Sequence, residues 1–200
     1  PIRVLKIGGS LLTHPELPRR LNDWLDQQPP AVNAAIIGGG ELIDAMRRLD
    51  RLSPIEPAAL HWQCVDLLQI TYRWFAGQLD DWQKVCIHET FEARFQVASQ
   101  ASAEARILVA VESFYRPEPA EAPAIRCKMP RLPTTWATTT DAIAGGLAIC
   151  LGAAELVLFK SCPVATGATL AELAQAGVVD EALPLLQESL PAIRFVNLRA

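Results

Sequence analysis

Twice in its N-terminal quarter the chain runs from a short apolar segment into glycines and then into a helical pattern. Residues 2–7 (I-R-V-L-K-I) end at Gly8 and Gly9, and residues 33–37 end at Gly38, Gly39 and Gly40. A helix is predicted over 15–28, with Leu17, Leu21, Trp24 and Leu25 on one stripe, and Pro29-Pro30 stops it. A second helix is predicted over 41–51. Strands joined by helical crossovers run parallel, so this alternation restricts the chain to the α/β class.

The remaining pattern fits that class. A long helix is predicted over 58–78, strands over 84–87 and 107–111, and a helix rich in small residues over 141–151. A strand follows over 155–160, then short helices over 170–175 and 181–188, then a last strand over 193–198. Five prolines between 115 and 133 (Pro117, Pro119, Pro123, Pro130, Pro133) predict a loop or lid there. No internal repeat and no linker breaks the chain, so residues 1–200 read as a single domain.

Half of the residues are hydrophobic and a fifth are charged, which is a globular balance. The net charge is −4, and no Lys/Arg block supplies the footprint of a nucleic-acid binder. The five cysteines are scattered without a C-x-x-C pair, and His14, His61 and His88 lack metal-ligand spacing. The cysteines therefore read as small buried hydrophobes in a reducing compartment, and no metal-ligating residues are assigned. The longest apolar stretch, 142–159, contains Gly145, Gly146, Gly152 and Glu155. It reads as a buried helix and strand rather than a membrane span. Without a signal-peptide pattern at its start, the chain is expected to be soluble and cytoplasmic, with no membrane partner.

Glycines at the carboxyl end of a parallel strand let backbone approach a ligand closely, and the following helix offers free N–H groups to an anion. Gly8, Gly9 and Ser10 are the candidate phosphate loop, and Gly38, Gly39 and Gly40 a second ligand-facing turn. Neither matches the Walker or Rossmann pattern. Lys6 lies near the end of the first strand and Lys160 ends the strand over 155–160. Each is either a solvated strand-end lysine or a cation placed against a transferring phosphoryl group. Asp141, after Thr138-Thr139-Thr140, is either a helix cap or an acid that orients those lysines or helps place a magnesium ion.

Three segments together carry a resemblance: K-I-G-G-S at Lys6, I-I-G-G-G-E-L-I-D-A-M-R from Ile36, and T-T-T-D-A-I-A-G-G-L-A from Thr138. In this order, before a late strand ending in lysine, they resemble the amino-acid kinase superfamily, which includes acetylglutamate, aspartate, uridylate and isopentenyl phosphate kinases. H-W-Q-C-V-D-L-L from His61 and L-P-T-T-W-A-T-T-T-D-A-I-A from Leu132 look most like its aminomethylfuranyl-methyl phosphate kinase-like subgroup.

The resemblance implies a three-layer αβα sandwich with a mostly parallel open sheet, and Mg2+-assisted phosphoryl transfer from ATP to a small molecule. It implies Lys6, Asp141 and Lys160 as catalytic residues, and Gly8, Gly9 and Ser10 on the transferring phosphoryl group. Gly38, Gly39 and Gly40 would line the acceptor side, and Lys160 and Ser161 the nucleotide. In the subgroup the acceptor is itself a phosphate monoester, such as an aminomethylfuran phosphate in methanofuran-type one-carbon cofactor synthesis. His61, Trp62 and Trp136 are then acceptor-pocket candidates, though a His and two Trp also serve as packing. Members commonly pair, so a homodimer is implied. Lys6→Ala and Asp141→Asn should stop transfer with little loss of fold.

One segment departs from the superfamily. Many members read K-x-V-D-G-[IV]-Y after the late strand, whereas here Lys160 is followed by Ser161-Cys162-Pro163-Val164-Ala165. The nucleotide side is abbreviated, which leaves a second reading: a weak or inactive homologue that binds a phosphorylated metabolite or a protein partner.

Overall fold

The computed structural model describes residues 1–86, 104–116 and 129–199. Six strands pair in parallel throughout: β1 (Ile2–Ile7), β2 (Val32–Ile37), β3 (Gln83–Val85), β4 (Ala105–Val109), β5 (Glu155–Lys160) and β6 (Ala192–Asn197), in spatial order β3-β4-β2-β1-β5-β6. Five helices accompany them among the described residues: α1 (Leu17–Asp26), α2 (Glu41–Leu52), α3 (Pro57–Ala76), α4 (Thr140–Leu151) and α5 (Leu170–Gln175).

Side chains alternate across the sheet, and this alternation divides the core in two. Val4, Ala34, Ile107, Leu156 and Leu158 face a layer built from α4, α5 and the first part of α3. Leu5, Ile7, Ala35, Leu108, Val157 and Phe159 face α1, whose Leu17, Leu21 and Leu25 are buried against them, and the end of α3 at Tyr72 and Phe75. The result is an αβα sandwich. β1 to β4 fill one side of the sheet, and β5 returns to the other side of β1. That reversal opens a crevice at the carboxyl ends of β1 and β5, where such sheets place their ligands.

The strands and long helices lie where the pattern places them, with small changes at their ends. Two segments differ in kind. Val111 is not the end of β4 but the start of a 3-10 turn (Val111–Ser113). The segment expected as a helix over 181–188 is a 3-10 turn at Leu183–Leu186, with Pro184 inside it. The end of the strand expected over 84–87 and most of the proline-rich loop over 115–133 lie outside the described residues. The cysteines are not the buried hydrophobes expected: Cys64 and Cys150 are half-buried and Cys86 and Cys162 exposed, and these four form no disulfide among the described residues. Cys127 lies outside the described residues. No helix among the described residues is long and apolar enough to cross a membrane.

Candidate active site

Lys6 shares its sheet face with Val4, and Lys160 shares the same face with Leu156 and Leu158. Both lysines therefore point from the strand ends toward the first turn of α4, which carries Asp141. Lys6 Nζ lies 2.9 Å from Asp141 Oδ1 as an ion pair, oblique to the carboxylate. Lys160 Nζ donates to Asp141 Oδ2 at 2.7 Å and to the Val178 carbonyl at 2.6 Å. All three side chains are buried, with relative exposures of 6% for Lys6, 4% for Asp141 and 8% for Lys160.

Burial alone would raise the Asp141 pKa, but the charges of Lys6 and Lys160 overcome it and hold the carboxyl below its ordinary value. Burial and the Lys6 charge together lower the Lys160 pKa, against the opposing pull of Asp141. Two ammonium groups share one carboxylate, so the cluster carries one surplus positive charge at the wall of a cleft of about 950 Å³.

The glycines form the adjoining wall, and they divide in function. The Gly8 amide donates to the Phe159 carbonyl at 3.0 Å and the Gly38 amide to Ile7 at 2.9 Å, so both continue the sheet ladder. Gly8 is thus corrected as an amide donor to phosphate: its N–H is already engaged. Gly9, Gly39 and Gly40 line the cleft, and their amides have no acceptor among the described residues. The two turns also touch each other. A Cβ on Gly9 would stand 2.2 Å from the Gly40 nitrogen, and Gly40 itself has φ of +55°. Glycine is required here first for loop-on-loop contact, and that contact exposes the amides.

Ser10 lines the cleft, and its hydroxyl lies 2.7 Å from that of Ser161. Ser161 itself is not part of the cleft wall. His61 is, with Nε2 2.9 Å from the Tyr115 hydroxyl. Burial lowers its pKa, against a hydrogen bond to the Thr135 backbone, and favours the neutral imidazole. Trp62, one residue on, is turned about a third of the way round α3. It lies off the cleft, with its ring centroid 5.0 Å from His61 and 5.2 Å from Tyr115. The structure corrects Trp62 to packing. Trp136 does border the cleft, with Nε1 donating to Asp50 at 2.8 Å and Arg47 5.0 Å above its ring.

No family description matches the chain, and no curated protein matches its sequence. Solved structures do match. The UMP kinase of Ureaplasma parvum superposes with a TM-score of 0.62 at 14% identity, over 98% of this chain and 89% of that one. The uridylate kinase of Archaeoglobus fulgidus gives 0.59 at 15% identity, over 97% and 89%. The fold is the amino-acid kinase fold. Within it, the three charged residues stand at the carboxyl ends of β1 and β5 and the start of α4.

Several cleft residues escape a reading of the sequence. Asp180 is buried, and its Oδ2 accepts from the Thr139 amide, the Thr139 hydroxyl and the Ala142 amide, each at 2.9 Å. Its Oδ1 accepts from the Leu183 amide at 3.0 Å. Burial and the neighbouring Asp141 push its pKa up to about 6. Locally, V-V-D-E marks only a turn; the long-range cap onto α4 has no sequence signal. Thr138 Oγ1, buried in the cleft wall, has no hydrogen-bond partner among the described residues.

Asp180 has both oxygens engaged by the contacts above, and Asp141 accepts from Lys160 through Oδ2 while its Oδ1 faces Lys6 without a hydrogen-bond partner among the described residues. No group of three His, Cys, Asp or Glu side chains that could hold a metal occurs among the described residues.

Proposed function

We propose that the protein transfers a phosphoryl group from ATP to a small metabolite in this cleft. The observation that carries the reading is the buried Lys6–Asp141–Lys160 cluster beside the unengaged amides of Gly9, Gly39 and Gly40. A protein that only folds gains little from two buried lysines on one carboxylate, since such clusters are poor sources of stability. A phosphoryl group in transfer carries dispersed negative charge and needs preorganised cations and N–H donors, which this wall supplies.

In this reading Lys6 neutralises the transferring group from the β1 side and Lys160 from the β5 side. Asp141 pairs with both ammonium groups and holds them pointed at one place. The amides of Gly9 and Gly39 donate to phosphoryl oxygens. The acceptor oxygen forms a bond to the γ-phosphorus as the bond to the ADP oxygen breaks. Mg2+, bound to the nucleotide, supplies charge neutralisation when present.

The resemblance noted above favours a phosphate monoester as acceptor, such as an aminomethylfuran phosphate, held near His61 and Trp136. The same reading makes the protein a cytoplasmic, single-domain enzyme. Replacement of the Asp-Gly turn by Ser161-Cys162-Pro163 favours a second reading, a homologue that binds a phosphorylated metabolite without turning it over. A thermal-shift series with ATP–Mg, ADP and a non-hydrolysable ATP analogue tests the first. Stabilisation by the nucleotides, weakened in Lys6→Met, is the expected result. No stabilisation by any of the three leaves only the second reading.

A further inference from the structure

Among the described histidines only His61 borders the cleft, and neighbours claim both of its ring nitrogens. Nε2 lies 2.9 Å from the Tyr115 hydroxyl, in a contact buried on both sides, with His61 6% exposed and Tyr115 7%. The bond to the Thr135 backbone favours the protonated ring, which marks the ring as donor and the carbonyl as acceptor. Nε2 is taken by Tyr115, so the donating nitrogen is Nδ1. A neutral imidazole carries one N–H. Nε2 is therefore a lone pair, and the Tyr115 hydroxyl donates to it.

Hydroxyl, imidazole and carbonyl thus join three parts of the fold. Tyr115 follows the 3-10 turn after β4, His61 stands near the start of α3, and Thr135 lies in the loop before α4. The Thr135 carbonyl also accepts from the Thr138 amide at 3.1 Å, which closes the turn that holds Trp136. Trp62 packs on the other two rings, with its centroid 5.0 Å from His61 and 5.2 Å from Tyr115. Tyr115 itself does not border the cleft. A buried polar network whose members are all satisfied rigidifies the elements it joins, and this one stands directly behind the cleft wall.

We propose that Tyr115 is a positioning residue for the acceptor side of the cleft, acting through His61. Its hydroxyl fixes the ring as the Nδ1–H tautomer, and the ring holds the Thr135–Thr138 turn so that Trp136 meets Asp50 of α2. His61 then shapes the wall without hydrogen-bonding the acceptor, because neither nitrogen is left for it. The assignment of that wall to the acceptor rests on the reaction proposed above; the tautomer and the brace do not.

Long-range proton–nitrogen NMR correlation on the full chain without nucleotide is the test, with His14→Gln and His88→Gln to assign the His61 resonances. Above neutral pH, wild-type His61 should be protonated at Nδ1 and bare at Nε2, the reverse of the tautomer that free histidine prefers. Tyr115→Phe keeps the ring that Trp62 packs on and removes the donor alone. It should move Nε2 downfield, to the position of a nitrogen that accepts no hydrogen bond. In the same variant the Trp136 indole N–H should exchange with solvent about five-fold faster, the effect of one lost hydrogen bond in the brace. A wild-type His61 protonated at Nε2, alone or together with Nδ1, overturns the proposal. So does a Tyr115→Phe protein in which Nε2 keeps its resonance, or in which Trp136 exchanges at the wild-type rate. Neither readout uses ATP, so a failure of nucleotide binding would overturn the reaction and leave this inference untouched.

Discussion

Lys6 and Lys160 reach the same carboxylate from neighbouring strands: Lys6 Nζ is 2.9 Å from one oxygen of Asp141 and Lys160 Nζ 2.7 Å from the other. The arrangement makes Asp141 the only counter-charge that the contacts above give to two buried ammonium groups. From sequence alone, Asp141→Asn is a change that stops transfer and spares the fold. Burial reverses the second half of that expectation. Asparagine leaves both lysines buried without the carboxylate they share, and the cost should be about 3–5 kcal/mol in equilibrium urea unfolding. Lys6→Met leaves one neutral pair, Asp141 with Lys160, so it should cost much less stability while lowering turnover about 100-fold or more. Equal unfolding midpoints for wild type and Asp141→Asn would show that the buried cluster is not formed in solution.

The contact between the two glycine turns sets a second prediction. A methyl group on Gly9 meets the Gly40 nitrogen at 2.2 Å and its Cα at 2.7 Å, and neither is a side chain that can swing aside. Gly9→Ala should destabilise by about 1–3 kcal/mol and weaken nucleotide binding, because the turns must part. Gly77→Ala is the control. Gly77 has φ of −70° and its added Cβ finds nothing nearer than 3.6 Å, so alanine should be neutral or stabilising by about 0.4–1 kcal/mol. Thermal unfolding of the two variants should move in opposite directions, and a Gly9→Ala protein as stable as wild type would contradict the loop contact.

The parallel sheet was legible because its strands are apolar runs bounded by glycine and proline, and because two βGlyα units in succession admit few topologies. Lys6 and Lys160 were legible for a related reason: a charged residue that ends an apolar strand stands out. Asp141 stood out only through its place at a helix start, and the ion pairs it makes depend on which sheet face each lysine shares. The role of Gly8 was misread because glycine spacing does not tell an amide that extends the ladder from one that is left over. Asp180 was invisible, since its partners at Thr139 and Ala142 lie far back along the chain and only the tertiary fold brings them together.

Trp136 offers a test of the acceptor side. Its ring lies under Arg47 and its Nε1 donates to Asp50, so it ties α2 to the loop that leads into α4. Trp136→Phe keeps a ring beneath Arg47 and removes the donor, at a cost of about 1 kcal/mol. If this wall holds the acceptor, its KM should rise several-fold while the KM for ATP stays unchanged. Equal changes in both would place the effect on the fold rather than on the acceptor.

Asp180 and Asp141 are carboxylates near one helix end with opposite responses to pH. Asp141 is held low by its lysines, so its contribution to stability is present above the unfolded-state pKa and is lost as the solution is acidified through the lower folded value. Asp180 is raised from 3.8 to about 6, so the folded protein holds a proton there after the unfolded chain has released it. Its contribution is therefore full below about pH 4 and declines as pH rises through 6. Asp180→Asn removes that titration and the repulsion from Asp141. Asparagine keeps one carbonyl oxygen for the Thr139 and Ala142 donors but loses an acceptor for Leu183. The variant should be less stable than wild type at pH 4, by about 1 kcal/mol for the lost acceptor. The gap should narrow or reverse by pH 7. Urea unfolding at unit steps from pH 4 to pH 8 measures this directly, and a difference between variant and wild type that does not change with pH would rule out the assignment of the raised pKa to Asp180.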